Sequence, residues 1–210
     1  MTKWNCDYLV CSAYKFFGPH IGILCGRPER MQTLEPYKLR PSPSSIPGRW
    51  MTGTQNHACI AGVTAAIDYI ASIAEDHDHD DADSSRRTRL DRALEWIDLV
   101  ETELVEHLLA GLQRIPGVRI YGITDPKRAK ERAPTVAFCL DRMESAQVAT
   151  RLAEVGICAW HGNHYALPLT LALGTEPQGM VRLGCMHYNT IEEIDRTIDA
   201  IDQIAKQPGK

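Results

Sequence analysis

Two short segments put groups capable of covalent or anion chemistry close together in the chain. In Ser12-Ala13-Tyr14-Lys15 a hydroxyl and a primary amine lie three residues apart, just after an apolar run and just before the turn signal Phe16-Phe17-Gly18-Pro19. The spacing satisfies Ser-x-x-Lys, in which the serine is a nucleophile. That chemistry needs the start of a long buried helix and companion Ser-Asp-Asn and Lys-Thr-Gly triplets; the chain has neither triplet, and Gly18-Pro19 stops any helix. The second segment is Arg49 to Asn56 (RWMTGTQN). Gly53 allows close backbone approach, and Thr54 offers an anion both a hydroxyl and a backbone N–H. Thr54 is equally an ordinary helix N-cap, and both roles can hold together. His77 and His79 lie among carboxylates in Glu75 to Asp83 (EDHDHDDAD), but such a run reads first as a solvated, self-repelling loop.

The elements that must position these groups follow from apolar spacing. Cys6 to Cys11 (CDYLVC) suits a buried strand and His20 to Gly26 (HIGILCG) a second, giving strand, lysine-bearing turn, strand. Met31 to Trp50 is rich in Pro, Ser and Arg and reads as a long ordered loop. His57 to Glu75 predicts a helix whose small residues Ala61, Gly62, Ala65 and Ala66 suit close packing on a sheet. The acidic run and the basic Ser84 to Arg89 form the best linker. Beyond it Leu90, Leu94, Ile97, Val100, Leu104, Leu108 and Leu112 recur at the helical period, and Pro116-Gly117 ends that helix. Strands are expected over Val118 to Tyr121, Thr135 to Leu140, Ile157 to Trp160 and Met180 to Cys185, with a helix over Ser145 to Val155. A last helix opens on the capping box of Thr190 and Glu193, with Ile191, Ile194, Ile198 and Ile201 on one face. The alternation after residue 88 suggests an α/β lobe.

Composition bounds the partners. The 210 residues are 44% hydrophobic and 24% charged, enough for one large domain or two small ones. A net charge of -4 argues against a general nucleic-acid binder. No apolar run approaches the length a bilayer requires and no secretory signal opens the chain, so no membrane partner and a cytoplasmic location are expected. The seven scattered cysteines, without a Cys-x-x-Cys pair, read as reduced, mostly buried thiols and not as a zinc site.

Cys6 to Gly26 resembles the lysine motif of class V aminotransferases and cysteine desulfurases, which are fold-type I, pyridoxal-phosphate-dependent enzymes. The resemblance implies that Lys15 forms a Schiff base with pyridoxal 5'-phosphate and later shuttles protons at the substrate carbon. It implies that Ser12 bonds the cofactor phosphate. Arg49 to Asn56 resembles the segment whose Gly-Thr pair, here Gly53 and Thr54, reaches the phosphate of the partner subunit's cofactor, which implies a homodimer. Gly162 to Pro168 (GNHYALP) with Val181 to Asp195 resembles the active-site loop and strand-to-helix segment of the small domain. There Arg182 would clamp the α-carboxylate of an amino-acid substrate by a two-pronged hydrogen bond that lysine cannot reproduce.

The resemblance also sets out where this chain departs. Tyr14 stands where many members carry His. Tyr165 stands where one group of cysteine desulfurases places the cysteine that accepts sulfur, so persulfide-forming desulfurase activity is not expected. The family's aromatic stack on the pyridine ring and the aspartate on its nitrogen come from sequence preceding the lysine strand. The expected fold is α/β, the C-terminal part of a PLP-dependent transferase: residues 1–85 the C-terminal part of the large domain, residues 86–210 a small α/β domain. The chain is then a truncated product, a split subunit or part of a longer protein, and it acts with a partner carrying the N-terminal half. The competing expectation is a non-catalytic remnant or interaction subunit.

Overall fold

The computed structural model describes residues 2–77 and 84–207. They pack as two units, Met1–Ala93 and Leu94–Lys210.

In the first unit, β1 (Tyr8–Ser12) and β2 (Gly22–Gly26) form an antiparallel pair whose register runs from Tyr8↔Gly26 to Ser12↔Gly22. Both strands begin two residues later than the apolar runs suggested; at β2 the cause is a tight turn in which Ile21 N bonds Pro19 O. Nor is β1 a buried strand. Val10 is 72% exposed and Leu24 of β2 49%, since two strands alone cover neither face of the sheet. The Pro-rich stretch is preceded by a short helix, α1 (Pro28–Thr33), and is pinned at both ends. Buried Arg49 donates to Gln32 O and Leu34 O, both at 3.0 Å, and pairs with Glu35 at 3.4 Å. Trp50 Nε1 donates to Met31 O at 3.1 Å.

Helix α2 (His57–His77) is capped by Asn56, whose Oδ1 accepts from Cys59 N at 3.1 Å. Thr54 is therefore not the cap. Ala66, Ile70, Ala71, Ile73 and Ala74 form its buried stripe. Against the sequence expectation, His57–Glu75 is long and apolar enough to cross a bilayer, with a mean hydropathy of 1.4. The cause is its alanine and isoleucine content with few charges, a composition that close helix packing also favours. Helix α3 (Arg86–Leu112) starts where a linker was expected. Ser85 Oγ caps it by accepting from Thr88 N at 3.2 Å. Arg86 pairs with Asp68 at 3.1 Å, and Arg89 pairs with Glu75, so the basic run is tied to α2. Residues 78–83, with His79 and most of the acidic run, lie outside the described residues.

The second unit is built on a four-stranded antiparallel sheet. β3 (Val118–Tyr121), β4 (Thr135–Leu140), β5 (Trp160–Gly162) and β6 (Met180–Gly184) lie in the order β3-β4-β6-β5. Around it are α4 (Ser145–Glu154), α5 (Leu167–Ala172) and α6 (Ile191–Ala205). One face of the sheet presents Val136, Phe138, Leu140, Val181 and Leu183 to Leu104, Leu108 and Leu112 of α3 and to Ile194, Ile201 and Ile204 of α6. The apolar stripe of α3 is shifted from the sequence reading: Leu94 is 53% exposed, whereas Val105 and Leu109 are buried. β5 also starts later than Ile157, because Ile157 N bonds Leu152 O and its side chain closes the end of α4 in the core. The Thr190–Glu193 capping box is formed as expected. The thiols are free, but only Cys185 is buried; Cys25 and Cys158 are exposed.

Truncation at the centre of this core has a calculable cost. Phe138 has no exposure, so Phe138→Ala should destabilise the chain by about 3–5 kcal/mol. Thr190→Ala, which removes only a cap, should cost about 1 kcal/mol. Urea unfolding followed by circular dichroism measures both; equal effects would contradict the packing described.

Candidate functional site

The lysine sits on a closed turn. β1 ends at Ser12, the chain winds through one 3-10 segment, Ala13–Phe16, and Phe17 takes a left-handed conformation (φ 66°) before Gly18. Gly18 N bonds Ala13 O, and Ala13 N bonds Ile21 O, each at 2.9 Å. Ser12 Oγ makes no bond to the amides of that segment. Lys15 is exposed, with Nζ 5.6 Å from the centroid of the Tyr14 ring, and Tyr14 stacks on His20 at 5.1 Å. An aromatic ring thus neighbours the amine, and a histidine five residues beyond the lysine stacks on that ring.

Helix α2 holds this turn from outside. A Cβ on Gly62 would lie 3.1 Å from Cγ of Pro19, and the Tyr69 ring meets Phe17 edge-on at 5.8 Å. Gly62 and Tyr69 are two turns apart, so one face of α2 contacts both ends of the Phe17–Pro19 corner. Gly53 and Thr54, both exposed, lie just before this helix. Gly53 has φ 96°, with open space where a Cβ would be, so backbone angle and not crowding within this chain demands glycine. The fit to an anionic phosphate rests on these groups: an exposed amine, a serine hydroxyl outside the turn's own bonding, and a Gly-Thr pair released from capping by Asn56.

Arg182 lies in the second unit, on β6 between buried Val181 and Leu183, and points to the sheet face opposite the core. Its register partners are Ala137 on β4 and Trp160 on β5. The loop after β5 is fixed by backbone contact. A Cβ on Gly179 would fall 2.1 Å from the carbonyl carbon of Gly162, so only glycine fits there. His164 Nε2 lies 3.1 Å from Met180 O, and Tyr165 at the loop tip is fully exposed with φ 61°. Burial, then the positive charge of Arg182, push the His164 pKa below its ordinary value. Burial does the same to His187 and lifts the Cys185 thiol to about 11, which keeps it protonated and unreactive. Trp160, His164 and Gly179 were not singled out from sequence. Register alone brings the tryptophan beside Arg182, and only the 162–165 loop's return to β6 brings the histidine.

Comparison with known proteins gives one consistent answer. Residues 1–102 and 90–197 match the sequence description of the aminotransferase class-V family. A cysteine desulfurase of Serratia proteamaculans is 31% identical over 218 aligned positions, covering 98% of this chain and 47% of that protein. A probable cysteine desulfurase of Pseudomonas putida is 29% identical, with 97% and 47% covered. The apo structure of a cysteine desulfurase from Thermococcus onnurineus NA1 superposes with a TM-score of 0.76 at 26% identity, covering 98% of this chain and 48% of its own. An Escherichia coli cysteine desulfurase structure gives 0.72 at 24% identity, with 96% and 47% covered, and supports the fold alone. The chain spans about half the length of the curated relatives it matches.

The shifted histidines make stability depend on pH. Because the folded-state pKa of His164 lies below its unfolded value near 6.5, the unfolded chain takes up the proton first as pH falls. Its stabilising effect is complete above pH 6.5 and is lost below it. His164→Gln should therefore reduce the drop in urea midpoint between pH 7.5 and 5.5; an unchanged drop would remove His164 as a source.

Proposed function

The chain belongs to the aminotransferase class-V family, and from that premise we propose that it is the C-terminal portion of a pyridoxal-phosphate-dependent enzyme acting on an amino acid, with Lys15 as the amine that holds the cofactor. The class V aminotransferases and cysteine desulfurases depend on pyridoxal phosphate as a family. The observation that carries the reading is the exposed lysine on a turn closed by the β1–β2 hairpin and braced by α2.

In this reading Ser12, Gly53 and Thr54 hold the phosphate, Gly53 and Thr54 that of a second subunit. Bound pyridoxal phosphate supplies an electron sink for bonds at the α-carbon of the substrate. Lys15, once released, carries a proton to or from that carbon. Arg182 orients the substrate through its α-carboxylate, and its guanidinium is suited to two parallel bonds. Residues 1–85 form part of the large cofactor domain and residues 86–210 the small domain, in a cytoplasmic homodimer or with a partner carrying the N-terminal half. Tyr165, a phenol at the tip of the 162–165 loop, cannot accept sulfur as a persulfide, so persulfide-forming desulfurase activity is not expected, and transamination or lyase chemistry on the amino acid is compatible with the remaining groups.

A second reading, a non-catalytic interaction subunit, is favoured by the exposed apolar residues of the hairpin, such as Val10 and Leu24. Titration with pyridoxal phosphate separates the two. Borohydride reduction of the cofactor-treated protein assembled with the N-terminal half, followed by peptide mapping, should find the pyridoxyl group on Lys15 above every other lysine, and Lys15→Ala should abolish that excess. Labelling without preference would favour the interaction subunit. Incubated with cysteine, the protein should show no persulfide on any of its seven cysteines. A trapped persulfide with steady sulfide release would overturn the assignment of Tyr165.

A further inference from the structure

The outer face of the second unit's sheet carries one continuous row of side chains. Register places Tyr121 opposite Ala137, Ala137 opposite Arg182, and Arg182 opposite Trp160. Residues directly opposite in an antiparallel pair point to the same face, with Cβ atoms roughly 4.5–5.5 Å apart. Arg182 is thus flanked on one side by a small methyl group and on the other by an indole. The two aromatic rings of the row differ in their engagement. Tyr121 has the Arg119 guanidinium 5.9 Å from its ring centroid, and its ring lies beyond Ala137. Trp160, on the edge strand, is 64% exposed. Among the described residues, no cation lies over the Trp160 ring and no carboxylate pairs with Arg182. The neighbouring polar group is His164, whose imidazole is turned to Met180 O at 3.1 Å and is kept neutral at pH 7 by burial and by Arg182.

The patch therefore combines a cation without a counterion, a neutral imidazole and a broad apolar ring. A ligand that satisfies it carries a carboxylate for the guanidinium and, one strand spacing away, an apolar face for the indole. An anionic side chain in that second position would meet the negative face of the ring without a partner. We infer that Trp160 is a specificity-determining residue, whose indole walls the Arg182 carboxylate site and selects substrates with aromatic or bulky apolar side chains. This rests on the proposed role of Arg182 and extends it from the common part of an amino acid to the variable part.

The test needs no cofactor. Propionate and 3-phenylpropionate share the carboxylate and differ by the phenyl group, and neither has an amine to react. Binding of each to the 210-residue chain is followed by NMR, using the indole N–H resonance assigned to Trp160 by its loss in Trp160→Leu and backbone resonances of β6 in the variant. The phenyl acid should bind about fivefold to tenfold tighter than propionate, as expected for one added aromatic contact. Trp160→Leu should bring that ratio close to one, and retention of the dispersed β6 backbone resonances shows that the variant is folded. Arg182→Lys should weaken both acids about tenfold or more and leave their ratio intact. A ratio that survives Trp160→Leu overturns the inference, yet leaves the carboxylate role of Arg182 standing if Arg182→Lys weakens both acids. Arg182→Lys without effect, or no saturable binding of either acid, overturns both. The cofactor role of Lys15 is judged separately by borohydride labelling.

Discussion

Alternation along β6 is the constraint on which the second unit turns. Val181 and Leu183 are drawn into the core beneath α3 and α6. Successive strand residues face opposite ways, so Arg182 must emerge on the other side. Any register slip of one residue would bury the guanidinium among leucines and isoleucines without a partner, at a cost far above that of one lost contact. The same rule, carried across the sheet by its hydrogen bonds, fixes Ala137 and Trp160 as neighbours of Arg182. The position of the candidate carboxylate site is thus a by-product of burying Phe138, Val181 and Leu183 on the opposite face.

The first unit solves a different problem, that of presenting an amine without a large core. Its hairpin has only five residues in each strand, and several of its apolar side chains stay exposed. Rigidity at the turn comes from local bonds, Gly18 N to Ala13 O and Ala13 N to Ile21 O, and from the corner being gripped by Gly62 and Tyr69 of α2. Helix α2 in turn is anchored by charge, through Asp68 to Arg86 and Glu75 to Arg89 on α3. These pairs are largely exposed, and pairs of that kind contribute roughly 0–1 kcal/mol each.

Much of this was legible from sequence because it is local. The lysine turn is announced by Gly18-Pro19 between two apolar runs, and the final helix by a capping box that needs only Thr190 and Glu193. β3 and β4 stand where their alternating residues put them. The family resemblance rests on contiguous motifs around Lys15, Gly53-Thr54 and Arg182, and the family match over nearly the whole chain agrees with it.

What tertiary structure decided was whatever depends on residues far apart in sequence. Trp160 and Arg182 are separated by a loop, a short helix and a turn, and nothing in either segment names the other as its partner; hydrogen-bond register does. Asn56 took the capping role from Thr54 because the helix started two residues later than that cap would require. The basic run at Arg86 opens helix α3 behind its Ser85 cap, and its side chains reach Asp68 and Glu75 earlier in the chain. The stripe of α3 rotated to bury Val105 and Leu109 and to leave Leu94 exposed, since periodicity defines an apolar face but only the packed neighbours decide where it begins and ends. Sequence thus determined which groups are capable of chemistry, through residue type and short spacing. Structure determined their surroundings, because pairing and burial act between segments that the linear chain keeps apart.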